Sequence, residues 1–295
     1  MRRSLISFGL AALIVLIWPA TALAATTDPL LGTSGNYAVI ASSTITDAGA
    51  SWITGRMALS PGTSVTGFPP ATSGPQDIAN GAALQARNDA STAYTNAAGE
   101  TPFVTLSADL GGMTLVPGIY RYSSAAGLTG TLTLNGGGIY IFQIGSAITT
   151  ASSSRVLLIN GAQPCDIFWQ VGSSATIGGS TAFVGTILAH NDLTMVTAAT
   201  LNGRAFAGVG AGGAGAVSLH TNRIIVPTGC PGGFTTSYPT PAFVAPPAGT
   251  LLPATLGVPW ELINEIPWLL VIAVGAGFGA TVMVLSNRRR RRRSA

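Results

Sequence analysis

Between Thr44 and Arg223 the chain repeatedly places a large aliphatic residue beside small hydroxyl or methyl residues. Neighbouring side chains of a β-strand point to opposite faces, so this pattern predicts strands with the aliphatic residue inward and Thr, Ser or Ala outward. The triplets are Thr44-Ile45-Thr46, Ser64-Val65-Thr66, Thr131-Leu132-Thr133, Ala147-Ile148-Thr149, Ala175-Thr176-Ile177, Leu193-Thr194-Met195 and Val217-Ser218-Leu219. Stacked strands of this kind would present a flat field of methyls and hydroxyls, which suits an ordered lattice better than a reactive small molecule.

The spacing of the triplets predicts a β-solenoid. Once a helical insertion is left out, the gaps between triplets are irregular but cluster at roughly twenty residues, which is the size of one solenoid coil. The predicted core contains Ile45, Leu132, Leu134, Ile148, Leu157, Ile159, Ile177, Phe183, Ile187, Leu193, Leu201, Val217 and Leu219. A β-sandwich is the alternative, since it also has short strands with turn signals. The single long helix that follows the first two triplets disfavours the sandwich.

That helix is predicted over residues 76 to 98. Alanines recur there at spacings of three and four, which is the period of one helix face, and Gly99 follows as a stop signal. An alanine stripe lets a helix approach a flat sheet closely.

The two ends of the chain predict a secreted, membrane-anchored protein. Arg2 and Arg3, an apolar run and Ala22-Leu23-Ala24 form a signal peptide over residues 1–24. Residues 25–230 then form one domain, and the proline-rich segment 231–267 forms a stalk. The apolar segment 268–286 is long enough for a transmembrane helix, and the arginines in 287–295 place the tail in the cytoplasm by the positive-inside rule.

An alternative mode of attachment is encoded before this helix. Leu252-Pro253-Ala254-Thr255 resembles the signal by which sortases link proteins to cell walls. Its fifth residue is Leu256 where glycine is expected, and about a dozen residues separate it from the apolar segment. Simple membrane anchoring is therefore preferred over wall attachment.

The charges disfavour nucleic-acid binding and catalysis. All 14 cations are arginines, and only six of them lie between the two terminal segments, against eight acids, so the central region carries six minus eight, or minus two. The domain has one glutamate, Glu100, and two histidines, His190 and His220, too few for clustered acid and base groups. The sequence predicts no enzyme, no cofactor and no metal site.

The two cysteines, Cys165 and Cys230, are predicted to form a disulfide. An even count in a chain that leaves the cytoplasm favours pairing, because the compartment is oxidising.

Several segments in order along residues 30 to 226 resemble the widespread microbial ice-binding family. The most specific are VPGIY (116–120), GIYIFQIGS (138–146), NGAQPC followed by FWQVGSSA (160–175) and FVGTILA (183–189). The resemblance implies a mainly β fold: an irregular, right-handed, triangular β-solenoid with one long helix packed alongside. It also implies adsorption to ice through one flat face rich in Thr, Ser and Ala.

The candidate ice-contacting residues come from two sources. The outward flanks of the triplets give Thr44, Thr46, Ser64, Thr66, Thr149, Thr176 and Thr194, and the family motif T-A/G-x-T/N, matched by residues 197–200, gives Thr197 and Thr200. The expected partners are the surface of an ice crystal and, through the C-terminal helix, a membrane, with a monomeric ectodomain. A non-catalytic adhesive module that binds a polymer or the cell envelope is the alternative.

Overall fold

The computed structural model describes residues 27–228 except 70 and 72, together with 270–271 and 283–284. The first unit, within residues 1–236, contains 21 described strands and one described α-helix. Its strands are β1 Tyr37–Ala41, β2 Thr44–Asp47, β3 Trp52–Thr54, β4 Arg56–Leu59, β5 Ser64–Thr66, β6 Gln76–Ile78, β7 Val104–Thr105, β8 Thr114–Leu115, β9 Gly118–Tyr122, β10 Ala126–Leu128, β11 Thr131–Asn135, β12 Tyr140–Ile144, β13 Ile148–Thr150, β14 Arg155–Ile159, β15 Ile167–Val171, β16 Ala175–Ile177, β17 Ala182–Ala189, β18 Leu193–Met195, β19 Thr200–Ala207, β20 Val217–Leu219 and β21 Arg223–Ile225. The helix α1 is Gly81–Gly99, and short 3-10 turns lie at Gly32–Asn36 and Pro164–Asp166.

These strands pair in parallel along three sides of a stacked coil. The helix face has the order β6, β4, β1, β19, β17, β15, β12, β9, β7. The ladder face has the order β5, β2, β20, β18, β16, β13, β10. The wide face has the order β3, β21, β19, β17, β14, β11, β8. The predicted class, mainly β with stacked parallel strands and one long helix, is confirmed.

Strands β17 and β19 belong to two faces because each turns a corner at a glycine. Ala182 pairs with β14 on the wide face, whereas the residues from Thr186 onward pair with β15 on the helix face. Gly185 adopts a φ of 108°, which favours glycine, and a Cβ placed on Gly203 would lie 1.9 Å from the Gly185 carbonyl oxygen. Glycine is therefore required at both Gly185 and Gly203, which pair with each other across β17 and β19 where the two strands bend.

The first coil of the chain is stacked on the last one. Strands β1, β2 and β3 pair in parallel with β19, β20 and β21 respectively, so that all three faces continue across this seam. The helix α1 connects the N-terminal coils to the opposite end of the stack, where β7 and β9 lie. The insertion of one long helix after two coils, as the sequence predicted, produces this discontinuous order.

Aliphatic and aromatic side chains fill the space between the three faces. Four rings stack through successive coils, with centroid distances of 5.5 Å for Tyr120 and Phe142, 4.0 Å for Phe142 and Trp169, and 4.8 Å for Trp169 and Phe183. Such contacts add dispersion and quadrupole attraction to the burial of apolar surface.

The predicted inward positions of β14 are wrong. Leu157 and Ile159 are 37% and 36% exposed, while Val156 is buried and Leu158 is packed against the core. In an apolar run such as RVLLI both alternations bury aliphatic residues, so the pattern alone does not fix which set faces inward. In the structure Arg155 points to solvent. By strand alternation Leu157 and Ile159 then also point outward, and Val156 and Leu158 point inward.

Helix α1 packs its alanine stripe on the helix face. Ala83, Ala86, Ala90, Ala93 and Ala97 are all fully buried in a cluster that includes Ile141, Phe168 and Phe206. At the C-terminus of the helix, Gln143 Nε2 donates to the carbonyls of Ala97 and Glu100 at 2.9 and 2.8 Å. These bonds satisfy carbonyls that have no partner within a helix.

The predicted start of this helix, at residue 76, is wrong by five residues. Gln76–Ile78 pairs with β4 as a strand, and Ala79 has a φ of 49°, which interrupts the chain before the helix. Asn80 then caps the helix by accepting a hydrogen bond from Ala83 N at 2.8 Å. Pairing with an existing sheet edge outweighs the helical period of these few residues.

Asp77, on strand β6, connects this strand to β1, to β4 and to the N-cap of α1. It accepts hydrogen bonds from Tyr37 Oη at 2.8 Å and from Asn80 Nδ2 at 3.1 Å, and it pairs with the guanidinium of Arg56. The hydrogen bond from Arg56 lowers the pKa of Asp77 below its ordinary value, with burial opposing this effect.

Several predicted segments fall wholly or partly outside the described residues, among them the arginine-rich tail 287–295. The signal peptide 1–24 and the stalk 231–267 lie outside them. Within the predicted transmembrane segment 268–286, the structure describes only Leu270–Val271 and Met283–Val284, which pair as two-residue antiparallel strands and not as one helix. Among the described residues, no helix combines the length and apolar character needed to span a membrane.

Cys165 lies in the 3-10 turn before β15. Its predicted partner, Cys230, lies outside the described residues, so the Cys165 to Cys230 pairing stays a prediction.

Gly203→Ala is expected to destabilise the domain by about 1–3 kcal/mol, because its methyl group would overlap the backbone of the next coil. Denaturant unfolding followed by tryptophan fluorescence measures this change. The matched control is Gly99→Ala at the end of α1, where a Cβ meets nothing within 4 Å. That control should leave stability unchanged or slightly higher, and equal losses in both variants would contradict the steric explanation.

Asp77→Asn is expected to lower stability most at neutral pH. Because the pKa of Asp77 is lowered on folding, its carboxylate stabilises the native state above its ordinary pKa of 3.8, and this contribution disappears as the pH falls through the folded value. The difference between wild type and variant should therefore shrink in acid. Unfolding midpoints measured from neutral to acidic pH test this, and a difference independent of pH would contradict it.

Candidate functional site

The ladder face presents a continuous column of small side chains, one on each rung. Most of its strands have three residues, of which the first and third are buried and the second points outward, as in Leu193–Met195 and Val217–Leu219. The outward residues, in order along the stack, are Gly127, Thr149, Thr176, Thr194, Ser218, Thr46 and Thr66. Six consecutive rungs therefore carry a hydroxyl group.

Strand register places these side chains directly over one another. Thr176 pairs with both Thr149 and Thr194, and Ser218 pairs with both Thr194 and Thr46. Since paired strands lie about 4.8 Å apart, seven rungs make a column about 29 Å long. At the seam the hydroxyl oxygens of Thr46 and Ser218 are 3.5 Å apart, so the column continues without a break between the last coil and the first.

A second column runs beside the first. The residues immediately before the three-residue strands are held in register by backbone hydrogen bonds, for example from Ile148 N to Ser174 O and from Leu193 N to Ala216 O. With Thr44 and Ser64, which pair with each other, this column reads Ala147, Ser174, Asp192, Ala216, Thr44 and Ser64. Side chains two residues apart on a strand stand about 6.7 Å apart, which gives the ladder face its width.

Charge is almost absent from this surface. The first column, from Gly127 to Thr66, is called the hydroxyl column, and it contains no charged side chain. In the second column the carboxylate of Asp192 accepts a hydrogen bond from Ala216 N at 2.9 Å. The ionisable groups with large pKa shifts lie elsewhere: burial raises the pKa of Tyr122 and Tyr140 to about 12 and lowers the pKa of Arg204 to about 10. Within residues 27–228, no group of three His, Cys, Asp or Glu side chains could hold a metal ion.

Repeated turns connect the ladder face to the wide face. Ser153, Ser180, Ala198 and Thr221 occupy the left-handed region with φ between 53° and 61°, one in each of four successive coils. Backbone bonds from Ser180 N to Thr197 O and from Ala198 N to His220 O stack these turns. The motif at 197–200 lies here, with Thr197 exposed on the turn and Thr200 at the start of β19 on the wide face.

The structure separates the predicted site residues into three groups. Thr46, Thr66, Thr149, Thr176 and Thr194 share the hydroxyl column. Thr44 and Ser64 lie in the second column, and Thr197 and Thr200 lie on or beyond the turn.

Two members of the hydroxyl column were absent from the predicted set. Ser218 belongs to a triplet that the sequence pattern already contains, so its position was available from the sequence. Gly127 stands in place of a hydroxyl residue on the rung of β10, at one end of the column. A glycine between Ala126 and Leu128 does not match the pattern of hydroxyl residues beside a core aliphatic residue. The triplet at 131–133, by contrast, belongs to β11 on the wide face.

The wide face has a different chemical character. Its strands have two outward positions in most coils, and the outward residues are Trp52, Thr54, Thr114, Thr131, Thr133, Asn135, Arg155, Leu157, Ile159, Ala182, Val184, Thr200, Asn202, Arg223 and Ile225. Side chains of very different length, including two arginines and a tryptophan that is 64% exposed, make this face uneven.

Comparison with known proteins identifies relatives of this fold. The family model described as Ice-binding-like matches residues 39–225. An ice-binding protein of a Nostoc species is 44% identical over 202 residues, which cover 66% of this chain and 73% of that protein. An ice-binding protein of Flavobacterium frigoris is 35% identical over 215 residues, covering 67% of this chain and 76% of the relative.

Solved structures agree with these matches. The crystal structure of an ice binding protein from an Antarctic biological consortium superposes with a TM-score of 0.66 at 40% identity, covering 72% of this chain and 96% of the other. The ice-binding protein of the Antarctic ascomycete Antarctomyces psychrotrophicus gives a TM-score of 0.62 at 36% identity, covering 67% and 97%.

Proposed function

Because this chain belongs to the ice-binding-like family, we propose that it adsorbs to ice through the ladder face. The observation that carries this proposal is the uncharged column of small side chains on seven parallel rungs, six of them bearing a hydroxyl. Family membership also makes the chain a binding protein without catalysis.

The threonine side chains of the ladder face suit contact with a crystalline water surface. Each threonine offers one hydroxyl, which donates and accepts hydrogen bonds, beside one methyl, which repels disordered water. The half-buried strands hold these groups at a fixed spacing, so water bound to them is ordered before ice is met. Charged side chains would retain their own hydration shells at a high desolvation cost.

The other two faces fit ice less well. Helix α1 covers the helix face. The wide face combines Trp52, Arg155 and Leu157 with short threonines, so a flat crystal could touch only its longest side chains. Recrystallisation inhibition, adhesion to ice and protection from freezing are the activities that adsorption through the ladder face would support.

Thr194→Tyr is expected to remove most of the ice activity. Thr194 lies on the central rung of the ladder face, and a ring there would hold a flat crystal away from the neighbouring hydroxyls. Thermal hysteresis, recrystallisation inhibition and partition into growing ice measure the loss. The unfolding midpoint should stay close to wild type, because the side chain points to solvent.

Two matched tyrosine variants control this experiment. Thr92→Tyr, on the exposed side of α1, should retain full activity. Thr200→Tyr, on the wide face after the turn, tests how far the contact surface extends. If Thr194→Tyr kept wild-type activity while Thr200→Tyr lost it, the ladder face would not be the ice-contacting surface.

We further propose that the domain works outside the cell while tethered to a membrane. The support is the signal-like segment 1–24, the proline-rich segment 231–267, and the apolar segment 268–286 followed by six arginines. A tether keeps the ice-contacting face at the cell surface, which serves adhesion to ice or protection of the envelope.

Deletion of residues 268–295 is expected to release the domain into the medium with its ice affinity intact, whereas the full chain should stay with the membrane fraction. Immunoblotting of cell fractions measures this. Mass spectrometry of the mature protein should detect Arg288 in its C-terminal peptide. Loss of that peptide, with cell-wall material attached at Thr255, would instead establish wall attachment.

A further inference from the structure

We propose that the wide face binds an acidic polysaccharide. The first observation is its charge. Among the outward side chains of the described wide face there are two arginines, Arg155 and Arg223, and no carboxylate. Both arginines are exposed, so the face attracts anions although the central region of the chain is slightly acidic overall.

A tryptophan lies directly beside one of these arginines. Trp52 pairs in register with Arg223 across β3 and β21, and its side chain is 64% exposed. A large aromatic ring left this open on a rigid strand is a platform on which the apolar face of a sugar ring can stack. The guanidinium one rung away, about 4.8 Å distant along the stack, can bind a carboxylate carried by that ring.

The second arginine marks the path of an extended ligand. In the column that starts at Trp52, the order is Trp52, Arg223, Thr200, Ala182 and Arg155. Three rungs, about 14 Å, separate the two arginines. Arg155 is oriented on the face because its Nε donates to Thr131 Oγ1 at 3.1 Å.

The residues along this path provide polar partners and little bulk. Ala182 and Thr200 leave room between the arginines, and Asn202 in the neighbouring column offers an exposed amide for hydroxyl groups. A ligand that matches this surface is a chain of rings with hydroxyls and regularly spaced carboxylates. An acidic polysaccharide has this chemistry, whereas an acidic peptide lacks the ring that Trp52 would hold.

The test measures binding of the full-length chain in mild detergent to polygalacturonate, by affinity electrophoresis at fixed ionic strength. The six C-terminal arginines will retard every variant in a polyanion, so the result lies in the difference between variants with the same tail. Arg155→Gln/Arg223→Gln should weaken the binding by about tenfold for each arginine removed.

Arg121→Gln is the matched control. It removes the same charge from the helix face, where Arg121 stacks on the ring of Phe103 at 4.6 Å, and should leave binding unchanged. Trp52→Ala should weaken binding to polygalacturonate but not to polyglutamate, which has the carboxylates without sugar rings. All four substituted residues are exposed, so unfolding midpoints should match wild type.

Three results would overturn the proposal. They are equal binding by wild type and Arg155→Gln/Arg223→Gln, an equal loss in Arg121→Gln, and a Trp52→Ala variant that binds polygalacturonate like wild type. Ice partition measured on the same variants should not change, because none of these residues lies on the ladder face. The outcome is therefore independent of ice adsorption.

Discussion

Everything in this domain depends on parallel backbone pairing at one fixed rung spacing. Each coil satisfies its peptide groups with the coils above and below, and the spacing of about 4.8 Å is set by the hydrogen bonds and not by the side chains. The most consequential pairing is the seam, where β1, β2 and β3 meet β19, β20 and β21. Without it the ladder face would end at Ser218, and Thr46 and Thr66 would belong to a separate surface.

The three faces share this spacing but differ in what it displays. Three-residue strands leave one outward position within each strand of the ladder face, so a small side chain recurs there on every rung, beside a second column formed by the residues that precede most of these strands. The wide face has two outward positions in most coils and greater chemical variety, including Trp52 and Arg155. The helix face is closed by the alanine stripe of α1. One backbone repeat thus supports an ordered surface, a varied surface and a covered one.

The sequence was informative where side-chain size and strand period act together. Small hydroxyl residues beside a core aliphatic residue identified five members of the hydroxyl column, including Thr149 and Thr194. It failed where several faces use the same local pattern. The triplet at 131–133 reads like the others but lies on the wide face, and only the pairing partners of β11 reveal this. It failed also at residues 76–78, because the sheet edge that they pair with, β4, lies 19 residues earlier in the chain, beyond the local window of a helical period.

The seam also dictates the order in which the domain can mature. Thr46 and Ser218 meet across 172 residues of sequence, so one edge of the first coil stays unpaired until the last coil exists. Closing so long a loop costs conformational entropy, and topologies dominated by distant contacts fold slowly. During synthesis one edge of β1 and one edge of β2 are therefore open strands that other chains can join. Such a protein needs protection from aggregation until residue 225 is in place.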